Sequence, residues 1–250
     1  MNPQANTLRV ATYNIHKGVQ GIGPARRLEI HNLGHAIEQL DADIVCLQEV
    51  RKMNRQAAMR FRHWPELPQA DFLAPEGYTA VYETNAITRH GEHGNALLTR
   101  WPVLRKTHQD ISDHRFEQRG LLHVRVHWNS VVVHAVVAHL GLIHSSRVRQ
   151  VERIGAFVAS HVPPHEPVVL AGDFNDWGGK LDAPMHALGL YRAEKKGISS
   201  QRTFPSRMPV FSLDRIYTRG FRCTGTSVPR GAAWARMSDH LPLVAELELE

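Results

Sequence analysis

The strongest constraint on the fold of this chain is the octapeptide from Val168 to Asn175, with the sequence VVLAGDFN. Its apolar half has the length and composition of a buried strand. Alternation along an extended strand predicts that Asp173 and Asn175, two residues apart, point to the same side. A buried strand that ends in a carboxylate and an amide suits the binding of a water, a metal or a phosphate. The octapeptide alone also fits an ordinary turn with Asx hydrogen bonding.

Other predicted strands place polar groups at or near their ends in the same way. These groups are Asn14, Glu49, Asn95, His139, Asp214, Asp239 and His240. Each alone has an ordinary explanation, such as a salt bridge between Glu49 and Arg51. Together they form an oxygen-rich set without cysteine ligands, which favours Mg²⁺, with Mn²⁺ as a substitute, over structural zinc. Phosphate-ester hydrolysis needs this inventory, because it uses a metal, a base for water and donors to phosphate oxygens.

The hydrophobic pattern predicts many strands and two clear helices. Helical spacing marks Arg26 to Leu40 and Ser145 to His161, the second capped by Ser145 or Ser146. The basic stretch from Arg51 to Gln69 fits either a helix with an exposed positive face or a loop beside the site. Because the strands outnumber the helices and each clear helix falls between strands, we expect two packed sheets with helices outside. No linker or repeat divides residues 1–250, which predicts a single domain.

The segment Gly120 to Trp128 alternates cleanly between apolar and polar residues. Leu122 and Val124 lie on its apolar face, and His123 and His127 lie on the other. We interpret these two histidines as part of a solvated face and not as a metal-binding pair.

The formal charge of +6 and the pI near 9.6 favour an anionic partner, either nucleic acid or an anionic membrane surface. A basic surface without a specific partner fits equally well, and the sequence indicates no protein partner. No apolar run has the length of a transmembrane segment, and Met1 to Thr7 shows no secretory signal. The two cysteines, Cys46 and Cys223, have no metal-type or redox-type spacing, which predicts a reduced, cytoplasmic protein.

Seven short motifs together resemble, in order, those of the endonuclease/exonuclease/phosphatase superfamily. They are Thr12–His16, Leu47–Val50, Gly94–Arg100, Ala138–Leu140, Gly172–Asn175, Leu213–Ile216 and Ser238–Pro242. That superfamily includes pancreatic-type deoxyribonucleases, abasic-site endonucleases, neutral sphingomyelinases and inositol-polyphosphate phosphatases. The resemblance implies an α/β (α+β) fold, namely a four-layered α/β/β/α sandwich of two mixed sheets, with the site at one mouth between the sheets. The chain looks like a bacterial-type, single-domain member.

The resemblance also implies roles for individual residues. Glu49 would be the main Mg²⁺ ligand, with Asn14 and Asp239 close to the metal. Asp173, helped by Asn175, would position or deprotonate the attacking water.

On the phosphate side, the resemblance implies that His240, oriented by Asp214, binds the phosphate or acts as the base. The sequence does not choose between Asp173 and His240 as the base. His139 would stabilise the pentacoordinate phosphate or assist the leaving oxygen.

Four further residues are candidates for contacts with the substrate or its surroundings: Asn95, His16, Trp177 and Arg147. Abasic-site enzymes carry an acid two residues after the asparagine of the first motif, where this chain has His16. This departure argues against that branch. Trp177 fits stacking on a base or ring of the substrate, although packing within its own loop fits as well.

These observations predict a Mg²⁺-dependent hydrolase that cleaves phosphodiester bonds, with endonuclease-like action on nucleic acid. A second hypothesis changes the substrate to phospholipid or phosphoinositide head groups. A third, from another class, is a non-catalytic module that binds anionic ligands. Such a module would be expected to have lost at least one of Glu49, Asp173, Asp239 and His240, and all four are present.

Overall fold

The fold was analysed in a computed structural model, which describes residues 6–194 and 200–250. The segment Met1 to Thr7, for which the sequence predicts no secretory signal, lies largely outside these ranges. Within them, two large mixed sheets carry most of the chain, and the predicted α/β class is confirmed.

The first sheet has six strands. They are β1 (Thr7–Asn14), β4 (Ile44–Val50), β5 (Thr79–Thr88), β6 (Gly91–Thr99), β13 (Phe221–Ser227) and β14 (Leu243–Leu249). Their order across the sheet is β13-β14-β1-β4-β6-β5. Strand β1 pairs in parallel with β4 and antiparallel with β14.

The second sheet repeats this plan. Its strands are β7 (Val103–Asp110), β8 (Gly120–Trp128), β9 (Val131–His139), β10 (Val168–Asp173), β11 (Tyr191–Arg192) and β12 (Asp214–Arg219). They lie in the order β11-β12-β10-β9-β8-β7, and β10 pairs in parallel with β9 and antiparallel with β12. A small hairpin joins β2 (Val19–Gln20) to β3 (Arg27–Leu28).

The described residues contain six α-helices and two single-turn 3-10 helices, His16–Gly18 and Gly23–Ala25. The α-helices are α1 (Ile30–Leu40), α2 (Arg55–Arg60), α3 (Gln69–Leu73), α4 (His144–His161), α5 (Asp182–Ala187) and α6 (Trp234–Met237). Among the described residues, none of them combines the length and apolarity needed to cross a membrane.

Three apolar clusters define the layers. The central cluster joins residues of both sheets, such as Val10 of β1 and Val169 of β10, so the sheets pack face to face. A second cluster packs Leu33 of α1 on the outer face of the first sheet, and a third packs Ile154 of α4 on the second sheet. Each such fully buried aliphatic side chain contributes about 1.5–3 kcal/mol. The resulting order is the predicted α/β/β/α sandwich.

The predicted start of α1 and the predicted serine cap of α4 are wrong, whereas the predicted start of α4 is within one residue of the observed one. Helix α1 begins at Ile30 and not at Arg26, because Arg27 and Leu28 pair with β2 as strand β3. The residue before α4 is Ile143, whose side chain makes no capping hydrogen bond. The hydroxyl of Ser146, one of the two predicted caps, instead donates a hydrogen bond to Asp113 at 2.7 Å.

The basic stretch after β4 contains both predicted alternatives, because α2 is a short helix followed by a loop up to α3. Asp214 is the first residue of β12. Before it, Phe211 forms an isolated bridge with Phe204.

His123 does not belong to a solvated face, and that prediction is wrong. The side chain is buried, and its Nε2 lies 2.9 Å from Nδ1 of His134 on β9. The ring of Phe157, from α4, packs against it edge-on at 5.4 Å between centroids. Alternation assigned His123 to the correct side of the strand, but that side is covered by α4. His127, near the end of the same strand, is exposed as predicted.

Candidate active site

The register of β10 brings three of the predicted site residues together. Asp173, at the end of β10, lies directly opposite His139 on β9 and Asp214 on β12. Since the parallel neighbours β9 and β10 end at the same sheet edge, their last side chains meet there. This accounts for the run of polar groups at strand ends.

One carboxylate oxygen of Asp173 is the centre of these contacts. Its Oδ2 accepts a hydrogen bond from Nδ2 of Asn14 at 3.1 Å. The Nε2 atoms of His139 and His240 lie 3.5 Å and 3.6 Å from the same oxygen. Asp173 is buried, so a single oxygen shielded from bulk water faces an amide and two imidazoles.

His240 lies between two carboxylates. Its Nδ1 is 2.8 Å from Oδ2 of the fully buried Asp214, and its Nε2 faces Asp173. The ring of Phe204 covers it at 4.8 Å between centroids. Potential ligand atoms of Asp173, Asp214 and His240 all lie within 4.8 Å of one another. Because both ring nitrogens already face carboxylates, this trio forms a carboxylate–imidazole–carboxylate line.

The two site histidines have opposite pKa shifts. Burial lowers the pKa of His240, but the charges of Asp214 and Asp173 outweigh burial and raise the pKa overall. Burial and the nearby Arg119 hold the pKa of His139 well below its usual value. Burial also raises the pKa of Asp173, although His240 opposes that shift. These shifts favour the protonated form of His240 and the neutral form of His139.

A second, oxygen-rich group lies beside this line. Glu49 accepts a hydrogen bond from Nζ of Lys17 at 2.6 Å, and Asp239 pairs with Nδ1 of His16 at 3.0 Å. Burial raises the pKa of Glu49, but Lys17 dominates and the net shift is downward, so the carboxylate is ionised. Oδ1 of Asn14 accepts a hydrogen bond from the backbone N–H of His16 at 3.0 Å.

The donor chemistry of Glu49, Asp239 and Asn14 fits a hard divalent cation, because two carboxylates and an amide offer only oxygen ligands. In this structure Lys17 pairs with Glu49 and His16 pairs with Asp239, so basic side chains lie where a cation would bind. The tighter cluster of Asp173, Asp214 and His240 is a different set of residues. It fits a metal less well, since both nitrogens of His240 are engaged by carboxylates.

Strained backbone accompanies these groups. Four non-glycine residues of the site adopt positive φ: His16 (44°), Lys17 (62°), Glu49 (58°) and Asn175 (47°). The register of β4 against β6 shifts between Leu47 and Val50, which is a bulge at Glu49. A bulge re-aims the side chain it carries. Strain of this kind costs about 1–3 kcal/mol per residue and collects at functional sites.

Asn175 forms the Asx turn that the octapeptide left open. Its backbone N–H donates to Oδ1 of Asp173 at 2.9 Å, and its Nδ2 donates to the carbonyl of Leu140 at 3.0 Å. The turn uses Oδ1 of Asp173 and leaves Oδ2 for the site. The turn and the site are therefore parts of one arrangement.

Asn95 and Arg147 are buried and hold backbone. Nδ2 of Asn95, on the first sheet, donates to the carbonyls of Gly120 and Val137 on the second sheet, at 2.9 Å and 3.2 Å. Nη1 of Arg147 donates to the carbonyl of Leu142, after β9, at 2.6 Å. Their substrate contacts stay predictions, and the contacts made in this structure are supporting ones.

Trp177 packs against aromatic rings of another loop, and its stacking on the substrate stays a prediction. It packs edge-on against Phe204 and Phe211, at 5.4 Å and 5.0 Å between centroids. It is also 44% exposed. Since Phe204 covers His240, the exposed indole lies one ring away from the site.

Two residues of this region were not singled out in the sequence. The ammonium of Lys17 pairs with Glu49, and Oγ of Ser238 donates to the carbonyl of Asn14 at 2.7 Å. The same Oγ accepts a hydrogen bond from the backbone N–H of His240 at 3.3 Å, which ties the first and last motifs together. Lys17 directly follows the first motif and Ser238 begins the last one, and these positions were the available signal.

Comparison with known proteins agrees with this architecture. The model of the Endonuclease/Exonuclease/phosphatase family matches residues 11–240. The "Uncharacterized protein YbhP" of Escherichia coli (strain K12) is 34% identical over 251 residues, covering 98% of both chains.

Solved structures share the fold at lower identity. The endonuclease/exonuclease/phosphatase from Bacteroides vulgatus has a TM-score of 0.74 and 20% identity, over 98% of this chain and 99% of that one. D. rerio TDP2, complexed with a single-strand DNA product, has a TM-score of 0.67 and 14% identity, over 97% and 99% of the two chains.

Proposed function

The chain belongs to the endonuclease/exonuclease/phosphatase family, and on that premise we propose that it is a metal-dependent phosphoesterase that hydrolyses phosphodiester bonds. Members of this family are typically hydrolases of phosphate esters, and they typically use a divalent metal. The observation that carries the proposal is the convergence on Oδ2 of Asp173. The imidazoles of His139 and His240, which have opposite pKa shifts, both lie within 3.6 Å of that one carboxylate oxygen.

Each group has a distinct task in this proposal. Asp173 positions a water and accepts its proton, because its carboxylate is buried and its pKa is raised towards the working range of a base. His240 carries a positive charge and binds a non-bridging phosphate oxygen. Asp214 holds the His240 ring in orientation through Nδ1. His139, being neutral, donates a hydrogen bond to the phosphate or the leaving oxygen.

The residues that would hold the metal are Glu49, Asp239 and Asn14, and we propose Mg²⁺ as the ion. When bound there, a divalent ion supplies Lewis-acid stabilisation of the negative charge that develops on phosphate. Lys17 and His16 would turn from these carboxylates towards the substrate.

The proposed substrate is nucleic acid. The formal charge of +6 favours a polyanion. D. rerio TDP2, which shares the fold, was solved with a DNA product. Two free cysteines, Cys46 and Cys223, suit a reducing compartment, and we propose a cytoplasmic location.

Hydrolysis of bis(p-nitrophenyl) phosphate in Mg²⁺ tests the chemistry separately from the substrate. Asp173→Asn removes the base and keeps the shape, so kcat should fall by about 10²–10⁴-fold. Asp110→Asn, an exposed carboxylate on β7, is the matched control and should keep full activity. Equal rates for wild type and Asp173→Asn would contradict the assigned site.

A second candidate substrate is a phospholipid head group, and an exposed apolar rim favours it. Phe211 and Trp177 are 38% and 44% exposed, and Met208 and Val210 of the same loop are also exposed. Such a rim beside a basic site suits the interface of an anionic bilayer. Co-sedimentation with anionic vesicles, lost in Phe211→Ser, together with lipid turnover and no cleavage of DNA or RNA, would replace the first substrate with this one.

A further inference from the structure

A cavity of about 110 Å³ lies beside the site, between the turn His16–Gly18 and helix α2. Its basic lining consists of His16, Lys17, Arg26, Arg51 and Arg60, and we call it the basic pocket. Among the described residues, no aspartate or glutamate lines it. A cavity of this size admits several waters or a tetrahedral anion.

The arginines of the basic pocket have no acidic partner among the described residues. Nη2 of Arg60 donates to the carbonyl of Gly23 at 2.6 Å, and the guanidinium of Arg51 lies 5.9 Å from the ring centre of Trp64. Several like charges around one cavity create a positive potential that an anion would relieve.

Buried hydrogen bonds fix the backbone of the basic pocket. Gln69 is almost fully buried, and its Oε1 accepts from the backbone N–H of Arg51 at 2.8 Å. Its Nε2 donates to the carbonyl of Lys17 at 2.9 Å. One side chain therefore holds together the two segments that carry the cations. A site preorganised in this way loses less entropy when a ligand binds.

The basic pocket is continuous with the candidate active site. Lys17 lines the pocket and its Nζ pairs with Glu49 at 2.6 Å. His16 also lines it and pairs with Asp239 at 3.0 Å. An anion in the pocket would therefore lie next to the residues assigned to the metal.

We infer that the basic pocket binds a second phosphate group of the substrate, adjacent to the phosphodiester that is hydrolysed. The inference rests on the proposed function, and it narrows the substrate to molecules with neighbouring phosphates. A nucleic-acid strand supplies such a phosphate on the next nucleotide. A head group with two phosphates presents the same chemistry. Lys17, Arg26, Arg51 and Arg60 would donate to its oxygens through charge-assisted hydrogen bonds.

The first test compares substrates with and without the second phosphate. We expect the double variant Arg26→Gln/Arg60→Gln to lower the kcat/KM ratio of phosphorylated dinucleotide to bis(p-nitrophenyl) phosphate by about tenfold, mainly through KM. Arg105→Gln, which replaces an exposed arginine on β7 outside the basic pocket, is the control and should keep the wild-type ratio. A parallel arm uses vesicles containing a lipid with a bisphosphate head group. A loss confined to one arm identifies the source of the phosphate, and an unchanged ratio in both arms overturns the inference.

Binding of inorganic pyrophosphate, measured by calorimetry in the His240→Ala background, tests the pocket without catalysis. Adding Arg26→Gln/Arg60→Gln should weaken this binding by about tenfold, and adding Arg105→Gln should not. If the wild type hydrolyses no substrate but the two substitutions still weaken pyrophosphate binding, the proposed function fails and the anion site stands. Equal pyrophosphate affinity with and without the two substitutions would overturn the anion site itself.

Discussion

At the scale of single residues, the site depends on which atom of each side chain is already engaged. Asp173 uses Oδ1 for the turn with Asn175 and Oδ2 for the site. His240 uses Nδ1 for Asp214 and keeps Nε2 towards Asp173. These divisions leave one oxygen and one nitrogen facing the same space, where the proposed function needs a base for water and a cation for phosphate.

Asp214→Asn tests the orienting role of that carboxylate. The substitution keeps the shape, but it removes one of the two negative charges that raise the pKa of His240. We expect kcat to fall by about 10–100-fold. We also expect the pKa of His240, followed by NMR, to fall. Loss of activity without a change in that titration would mean that Asp214 has only a structural role.

Gly172 precedes Asp173 because no side chain fits there. A Cβ at this position would lie 1.8 Å from the carbonyl oxygen of Ala138 on the neighbouring strand. Gly172→Ala must push β10 and β9 apart, and we expect it to destabilise the fold by about 1–3 kcal/mol or more. Gly178→Ala, where a Cβ would make only ordinary contacts beginning at 3.5 Å, is the control and should be close to neutral in urea unfolding. Equal stabilities of the two variants would contradict this account of β10.

At the scale of elements, α4 buries a chain of titratable groups against the second sheet. His123 contacts His134, which in turn hydrogen-bonds Glu166, and Phe157 of α4 covers them. Burial and the neighbouring His134 lower the pKa of His123 to about 3. Burial also lowers the pKa of His134, against the opposing effect of Glu166. Other basic groups facing the pair are His161, Arg125, Arg105 and Arg219.

This buried pair predicts a loss of stability in acid. Above pH ~6.5 His123 is neutral in both folded and unfolded chains. As the pH falls towards its folded pKa, the unfolded chain binds a proton that the folded chain excludes, and stability declines. We expect His123 to contribute roughly 2 kcal/mol of lost stability between pH 6.5 and 4.5. His123→Phe should flatten that part of the curve in urea unfolding, and His127→Phe should not. A slope unchanged in His123→Phe would mean that other groups account for the acid sensitivity.

Sequence patterns predicted helices and strands well where one apolar face of a helix, or the end of one apolar strand, was enough to identify the element. The apolar run before Asp173 and the stripe of α4 are of this kind. They failed where tertiary contacts decided, as when β3 took residues assigned to α1 and when α4 covered His123. The bulge that re-aims Glu49 and the ion pair of Lys17 depend on contacts between distant strands, so local sequence does not encode them.

At the scale of the whole molecule, two similar sheets meet at the mouth that carries the site. Asn95 bridges them directly, since it lies on the first sheet and donates to two carbonyls of the second. That residues 1–250 form one domain remains our proposal. We expect one cooperative unfolding transition, identical when followed by tryptophan fluorescence and by circular dichroism. Two separated transitions would contradict it.

The measurement that tests the central claim most directly is nicking of supercoiled plasmid by the purified protein. We predict nicking in Mg²⁺, none in EDTA, and none with His240→Ala, whereas His127→Ala, an exposed histidine on β8, should nick like wild type. That pattern would place metal-dependent cleavage of nucleic-acid phosphodiesters in this site. Nicking that persists in EDTA or in His240→Ala would contradict the account.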